Sequence, residues 1–292
     1  MHERQPSQTA MMAAAARAAH LVVDNEPYIF QDSVAMPLLG DLGEEIVAYH
    51  RASGDHVVLS STRAQVTARS RYTEDRLAEL VLTDHVLTQY VILGAGLDTF
   101  AYRAPLALAT RLRVFEVDHP ATQRWKRDLL AAAQLTPVAP DGLAFVGTDF
   151  ETDPLTGRLT AAGFDPAQPA LVSWLGVTFY LTRDAIVATL GTLGSLAPGT
   201  ELVVEYALPP ELRDARGAAY AEFALPAAAE RGEPWLTFLT PEDMSTLLRT
   251  HGFEVVKHLR QHDAIDPALW QRSDALRPAD VCRLVRAVVA PR

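Results

Sequence analysis

Cysteine is nearly absent from the sequence: Cys282 is the single one among 292 residues. One thiol can form neither a disulfide framework nor a thiolate zinc site, and such scarcity is typical of a reducing compartment, so we expect a cytoplasmic location. No apolar run reaches the roughly 18 residues that a membrane span requires. Residues 10–23 are apolar, but Arg17 and His20 interrupt them, which favours an amphipathic helix over a signal peptide.

Positive charge is also scarce. Lys and Arg total 26 against 36 Asp and Glu, which gives a net charge of -10 and a pI near 5.4. Nucleic-acid binding relies on clustered cationic side chains, so this composition argues against an RNA or DNA partner. Hydrophobic residues make up 49% of the chain, which is enough for a core and excludes extensive disorder. We expect a small-molecule substrate and no membrane partner, and the sequence defines no oligomeric state.

The first 88 residues have a helical pattern. Leu77, Leu80, Val81 and Leu87 recur at helical spacing with charged residues between them. We predict that residues 1–88 form an N-terminal helical cover, with helices at residues 10–22, 44–50 and 62–87.

From residue 89 onward, short apolar runs alternate with helical segments. This alternation predicts a doubly wound α/β sheet whose ligand lies at the carboxyl ends of the central strands. Helix starts are marked at Pro120, Thr182 and Thr240. We predict one compact domain whose core is residues 89–292, with a helical insertion near residues 209–239. The predicted strands are residues 90–93, 113–117, 143–146, 170–175, 201–206, 253–259 and 282–289.

The most informative local motif is Gly94-Ala95-Gly96, which directly follows the first predicted strand and opens a helix. Glycines at such a turn allow a ligand to approach the backbone and present N–H groups at the helix start. Gly94 and Gly96 are therefore candidate cofactor contacts. The alternative interpretation is a tight strand–helix turn in which Asp98 caps the helix.

Acidic residues follow the next two predicted strands. Glu116 and Asp118 lie 20 and 22 residues after Gly96, where a carboxylate can accept hydrogen bonds from ribose hydroxyls. The pattern does not choose between them, and Asp118 could instead complement the N-terminus of the following helix. Asp149 and Phe150 follow the third strand and could supply an acceptor and an apolar surface for an adenine ring, or be ordinary loop residues.

The glycine turn departs from the NAD fingerprint, since Thr99 stands where that fingerprint requires a third glycine. S-adenosylmethionine has no phosphates, so a shorter glycine turn suits it better. Its methionine carboxylate calls for a cation, and Arg71 is a candidate. Arg71 could equally form a surface ion pair with Glu74 or Asp75, three and four residues further along the helix.

Several short motifs occur in order between residues 16 and 206. GAGLDT at residues 94–99 is combined with EVDHP at residues 116–120, and further matching stretches are Ala16-Arg17-Ala18, Pro27-Tyr28, Arg69-Ser70-Arg71-Tyr72, Tyr102-Arg103, Gly147-Thr148-Asp149-Phe150 and residues 174–181. Together they resemble the leucine carboxyl methyltransferase family, and more closely its bacterial branch of S-adenosylmethionine-dependent methyltransferases.

The resemblance implies a class I methyltransferase fold: a Rossmann-like sheet of seven strands with helices on both faces, an N-terminal helical cover, and the last two strands forming an antiparallel hairpin at one edge. It implies S-adenosylmethionine as the cofactor. It further implies that the methionine carboxylate is held by Arg71, that Gly94 lies beneath the cofactor, and that Asp118 contacts the ribose and Asp149 with Phe150 the adenine. Related enzymes often carry glutamate where this chain has Leu175, which removes one expected carboxylate.

We expect methyl transfer to a carboxylate or hydroxyl oxygen of a small molecule. A carboxylate is ionised at pH 7 and needs no base, whereas a hydroxyl needs one. The sequence identifies no catalytic base. Tyr28, Tyr180 and Tyr206 are candidates for orienting the substrate, and the alternative for each is a core or rim tyrosine.

Two other functions fit parts of the pattern. A nicotinamide-dependent reductase could use the same glycine turn, although Thr99 and the lack of a Tyr-x-x-x-Lys pair argue against it. A non-catalytic nucleotide-binding homologue is consistent with Leu175. His258 and His262 are four residues apart, but no third ligand accompanies them, so we predict no metal site.

Overall fold

The computed structural model describes residues 7–83 and 87–291, which form an α/β fold around one seven-strand sheet with the strand order β3-β2-β1-β4-β5-β7-β6. The first five strands are parallel, and β7 is antiparallel to both β5 and β6. The strands are β1 (Gln89–Leu93), β2 (Arg113–Asp118), β3 (Leu143–Gly147), β4 (Leu171–Trp174), β5 (Glu201–Ala207), β6 (Phe253–Arg260) and β7 (Cys282–Val289). The predicted strands and the edge hairpin of the last two are confirmed.

Helices cover the sheet and precede it in the chain. They are α1 (Gln8–Val23), α2 (Ala35–Leu39), α3 (Asp41–Ser53), α4 (Val57–Ala78), α5 (Phe100–Arg103), α6 (Leu106–Ala109), α7 (Pro120–Ala132), α8 (Leu155–Ala161), α9 (Arg183–Leu193), α10 (Ala215–Glu230) and α11 (Pro241–Thr250). The predicted starts are confirmed: Pro120 is the first residue of α7, Thr182 caps α9, and Thr240 forms a capping box with Asp243 at α11.

Alternate residues of the central strands enter two separate cores. Val91 and Leu93 pack with Trp174 on the face that carries α8, α9 and α11. Tyr90 and Ile92 pack on the opposite face, against the end of α4 and against α5 and α6. All five residues of β1 are buried, which is why this strand is apolar on both faces instead of alternating.

The predicted N-terminal cover contains α1 to α4, although residues 1–6 and 84–86 lie outside the described part of the chain. The middle of α1 is an alanine-rich stretch that is buried, and such small side chains permit close helix packing. Asp24 after α1 accepts two hydrogen bonds from Arg63 of α4, at 2.8 Å from Nε and 2.9 Å from Nη2. Both side chains are almost fully buried, so this pair fixes α4 against α1.

Residues 209–239, where we predict a helical insertion, contain α10. Its Arg216 donates hydrogen bonds to the hydroxyls of Ser61 (3.0 Å) and Ser60 (2.6 Å) of α4. The insertion between β5 and α11 is therefore attached to the N-terminal helices as well as to the sheet.

Candidate cofactor and substrate site

The glycine turn lies at the carboxyl end of β1, between the ends of β2 and β4. Gly94 has φ +67°, and its N–H donates to the carbonyl of Val117 at 2.8 Å. A Cβ atom built on Gly94 would overlap Cγ2 of Val177, which follows β4. The glycine turn can therefore pack this closely against Val177 only because residue 94 has no side chain.

Asp118, the last residue of β2, binds the same turn. Its Oδ2 accepts a hydrogen bond from the Gly96 N–H at 2.5 Å, and its Oδ1 accepts one from the His119 N–H at 2.6 Å. Burial raises the pKa of Asp118 above its ordinary value, although these backbone bonds oppose the shift. A Cβ on Gly96 would be 3.0 Å from Cβ of Ala10, so the first turn of α1 lies directly against the glycine turn.

Glu116 occupies a different environment from Asp118, although both side chains leave the same face of β2. It is completely buried, and its Oε2 is 2.5 Å from Nζ of Lys126 on α7. Burial raises the pKa of Glu116 to about 7 despite the opposing charge of Lys126. The sequence pattern did not choose between the two acids, and the structure gives them different environments. Asp118 binds the glycine turn, whereas Glu116 is in an internal ion pair with Lys126.

Asp149 and Phe150 follow β3 next to the end of β4. The Asp149 carboxylate accepts a hydrogen bond from the Glu151 N–H at 3.0 Å, which tightens this turn. The Phe150 ring lies 6.4 Å from the Trp174 ring, measured between centroids. The turn therefore presents an acid after β3 and an aromatic ring next to Trp174 of β4.

Three buried polar atoms at this edge have no hydrogen-bond partner among the described residues. They are Oε1 of Glu116, Oγ1 of Thr148 and Nε1 of Trp174, near the ends of β2, β3 and β4 respectively. Buried polar atoms are normally paired, but these three do not form one group, because β1 separates β2 from β4 and the side chains of Glu116 and Trp174 leave opposite faces of the sheet. The features that fit a nucleoside-like ligand at this edge are therefore the glycine turn and the Asp118 carboxylate bound to it.

The structure places Arg69 and Arg71 on different sides of α4. Arg71 is exposed on α4 and forms the surface pair with Asp75, at 2.5 Å. Arg69 points inward, and its Nη1 and Nη2 lie 2.8 Å from the position a Cβ would take on Gly176, between β4 and Val177. Residues two apart on a helix face nearly opposite sides, so only one of the two arginines can lie against the turn after β4. Gln65 and Thr73, four residues before and after Arg69, are both buried and share its face of α4.

Of the three candidate tyrosines, Tyr180 lies in the turn after β4 and Tyr206 lies at the carboxyl end of β5. The Tyr180 ring is 4.7 Å from that of Phe179 and 6.2 Å from that of Trp235, and burial raises the pKa of its hydroxyl. Tyr206 is 1% exposed and is bonded through its hydroxyl to His258 at 2.8 Å, on the β6 side. This placement gives no support to substrate contact by Tyr206, since the hydroxyl is used within the core.

Tyr28 is partly buried in the N-terminal cover. Its hydroxyl donates weakly to the carbonyl of Leu21 at 3.4 Å, and its ring meets the edge of His20 at 5.5 Å. These contacts are internal to the segment around α1.

Leu175 packs against the apolar core, so the position that often carries glutamate in related enzymes contributes no carboxylate here.

A buried polar network supports the glycine turn from behind, and sequence reasoning did not find it. Arg17 of α1 donates to Asp32 at 2.7 Å and to the carbonyl of Leu97 at 2.6 Å. Thr99 donates to Asp32 at 2.7 Å and accepts from Arg103 at 2.9 Å. Burial alone would raise the pKa of Asp32, but the two guanidinium groups hold it below its ordinary value. Thr99 therefore replaces the third glycine of the NAD fingerprint with a structural hydrogen bond.

A second concave region lies at the opposite edge of the sheet. This open depression of about 430 Å³ is beside Gln89 and Arg113, the first residues of β1 and β2. It contains none of the predicted site residues, whereas ligands of such folds bind at the carboxyl ends of the strands.

The strand order and the glycine–acid arrangement define a class I methyltransferase fold. A solved structure from Thermobifida fusca, titled a "putative methyltransferase", superposes with a TM-score of 0.61 at 17% identity and covers 99% of this chain and 97% of that one. A DUF574 family protein from Streptomyces avermitilis gives 0.56 at 16% identity, with 95% and 97% covered. At these identities, the likeness establishes the fold alone.

Sequence comparison identifies the family. The model of the leucine carboxyl methyltransferase family matches residues 10–194. A Bacillus subtilis protein named "Putative S-adenosyl-L-methionine-dependent methyltransferase YktD" is 34% identical over 311 aligned positions, which cover 99% of both chains. A similarly named Frankia alni protein is 34% identical over 203 positions, 68% of this chain and 63% of its own length. The chain belongs to the leucine carboxyl methyltransferase family and is an S-adenosylmethionine-dependent methyltransferase.

Family membership rules out the nicotinamide-dependent reductase considered from sequence. Within residues 7–83 and 87–291, the longest helices are too short or too polar to cross a membrane.

Proposed function

We propose that this enzyme transfers the methyl group of S-adenosylmethionine to a carboxylate or hydroxyl oxygen of a small molecule. The observation that carries the proposal is the glycine turn at the carboxyl end of β1, where Asp118 of the neighbouring strand β2 binds the Gly96 N–H. The cofactor supplies a methyl group already activated on a sulfonium. The protein then contributes mainly proximity, alignment and exclusion of water.

The residues at the strand ends match the parts of the cofactor. We assign Gly94 and Gly96 to its close approach and Asp118 to the ribose hydroxyls. Asp149 and Phe150 suit the adenine, because one offers an acceptor for the exocyclic amine and the other an apolar surface.

Arg69 takes the part that the resemblance implied for Arg71. A guanidinium held against the turn after β4 can bind the methionine carboxylate through two parallel N–H bonds. Arg71 instead pairs with Asp75 and contacts the Ile29 carbonyl at 3.4 Å.

The start of α1 limits what can reach the site. The Ser7 N–H donates to Thr122 Oγ1 at 3.4 Å, and the Thr9 N–H donates to Glu233 at 2.9 Å, so the first turn of α1 is attached on both sides of the glycine turn. This cover favours a small acceptor over a folded macromolecule. Tyr180 lies beside it and is the remaining candidate for orienting the acceptor.

Calorimetry with S-adenosylhomocysteine tests the cofactor assignment. We expect binding by the wild-type protein, a weaker affinity for Asp118→Ala, and an unchanged affinity for Asp263→Ala, an exposed acid near the end of β6. Absence of binding at millimolar ligand would refute the assignment.

The acceptor atom is tested with methyl-labelled cofactor and a panel of small carboxylic acids, phenols and alcohols. Methyl esters release labelled methanol in mild alkali, whereas methyl ethers do not, so the product shows whether a carboxylate or a hydroxyl was methylated. Labelled product that is neither ester nor ether would contradict transfer to oxygen.

A further inference from the structure

Glu205 lies at the carboxyl end of β5, one residue beyond the pairing of Val204 with Trp174 of β4. It is 2% exposed. Its Oε2 is 2.5 Å from Nη1 of Arg69, and its Oε1 accepts a hydrogen bond from Nε2 of Gln65 at 2.9 Å. Both oxygens of this buried carboxylate are thus occupied by side chains of α4, one turn apart.

The same residue also binds the turn after β4. The backbone carbonyl of Glu205 accepts a hydrogen bond from Thr178 Oγ1 at 2.6 Å. Thr178 is two residues after Gly176, against which the Arg69 guanidinium lies, and one after Val177, which contacts Gly94. Glu205 therefore ties together α4, the turn after β4 and, through Val177, the glycine turn.

A second ion pair joins the same helix and strand further from the site. Arg76 of α4 binds Glu201, the first residue of β5, with Nε 2.9 Å from Oε2. If the Glu205 pair served only to pack α4 on the sheet, the two pairs would have the same role. They differ in place, because Glu201 lies at the amino end of β5 and Glu205 at the ligand-binding end.

We infer that Glu205, assisted by Gln65, is a positioning residue that aims Arg69 at the methionine carboxylate of the cofactor. Arginine has a long side chain whose binding geometry is useful only when it is held in place by its neighbours. Glu205 engages Nη1, which leaves the other N–H groups of the guanidinium outside this pair. The inference rests on the proposed binding of the cofactor by Arg69.

Glu205→Gln tests the inference with little change of shape. A glutamine has one acceptor oxygen, so it cannot serve both Arg69 and Gln65 as the carboxylate does. The measurement is calorimetric affinity for two probes: S-adenosylhomocysteine, and 5′-methylthioadenosine, which lacks the amino-acid group. Glu201→Gln is the matched control, because it disrupts the other buried pair between α4 and β5.

For Glu205→Gln we expect the dissociation constant of S-adenosylhomocysteine to rise at least about tenfold, the effect of a lost hydrogen bond to a charged group. The affinity for 5′-methylthioadenosine stays unchanged, and Glu201→Gln alters neither affinity. Gln65→Leu, which keeps the ion pair, shows a smaller loss in the same direction and serves if Glu205→Gln does not fold.

The outcomes are distinct. Equal weakening of both probes in Glu205→Gln would show a purely structural role and overturn the inference. Unchanged or tighter binding of S-adenosylhomocysteine would overturn it as well. If the wild-type protein binds 5′-methylthioadenosine but shows no preference for S-adenosylhomocysteine, the proposed role of Arg69 fails, and the inference fails with it.

Discussion

Replacing Gly94 by alanine is a direct test of the close contact between the glycine turn and the turn after β4. Gly94 has φ +67°, a conformation that costs a residue with a Cβ atom about 1–2 kcal/mol. The new Cβ would also overlap Cγ2 of Val177, and overpacking of a filled site typically costs about 1–3 kcal/mol. We expect the free energy of unfolding to fall by about 2–5 kcal/mol in total.

Urea unfolding separates the two contributions when combined with a second substitution. The Gly94 Cβ position is 3.4 Å from Val177 Cβ, an ordinary contact, so Val177→Ala removes the overlapping atom and leaves room. The double variant should therefore recover the overpacking part of the loss, giving a favourable coupling energy between the two sites. Gly199→Ala measures backbone strain alone, because Gly199 has φ +84° and nothing within 4 Å of its Cβ position.

Binding of S-adenosylhomocysteine provides the second readout. Gly94→Ala displaces the backbone that we assign to the cofactor, so its affinity should fall even where the variant is folded, while Gly199→Ala should bind normally. The reasoning is refuted if Gly94→Ala is no less stable than Gly199→Ala, or if Val177→Ala restores nothing.

Three further predictions concern charged side chains. Arg69→Gln should weaken S-adenosylhomocysteine binding about tenfold or more in calorimetry, while Arg71→Gln should bind normally; equal effects would contradict the assignment. Burial raises the pKa of Glu116 to about 7 from 4.5, so its contribution to stability is complete below about pH 4.5 and is lost as the pH rises through 7. In Glu116→Gln the melting temperature should therefore depend less on pH between about pH 4.5 and 7 than in the wild-type protein. An unchanged pH dependence would contradict this prediction. Arg63→Met removes both guanidinium hydrogen bonds from the buried Asp24 carboxylate and leaves it only its contact with His20. The free energy of unfolding, measured in urea, should fall by about 3–5 kcal/mol, and an unchanged value would contradict the expectation.

The strands and the helix starts could be predicted from sequence because each depends on residues that are close together in the chain. A buried strand such as β1 needs a continuous apolar run, and a helix start such as α11 needs a cap and proline at its first position. The position of Asp118 at the end of β2 followed from the same logic, since a parallel strand brings its last residue to the common edge of the sheet.

The sequence by itself determined the order of strands and helices, the glycine turn and the acids that follow the next strands, because each depends on neighbours along the chain. Only the tertiary structure decided where nearby candidate residues lie relative to the glycine turn and the sheet. The rotation of α4 places Arg69 inward and Arg71 in a pair with Asp75. The position along β2 separates Glu116, which pairs with Lys126, from Asp118 at the glycine turn. The hydroxyl of Tyr206 is bound by His258 of β6, a strand far from it in sequence. These placements depend on packing between elements far apart in sequence, and the spacing of residues along the chain carries no information about that packing.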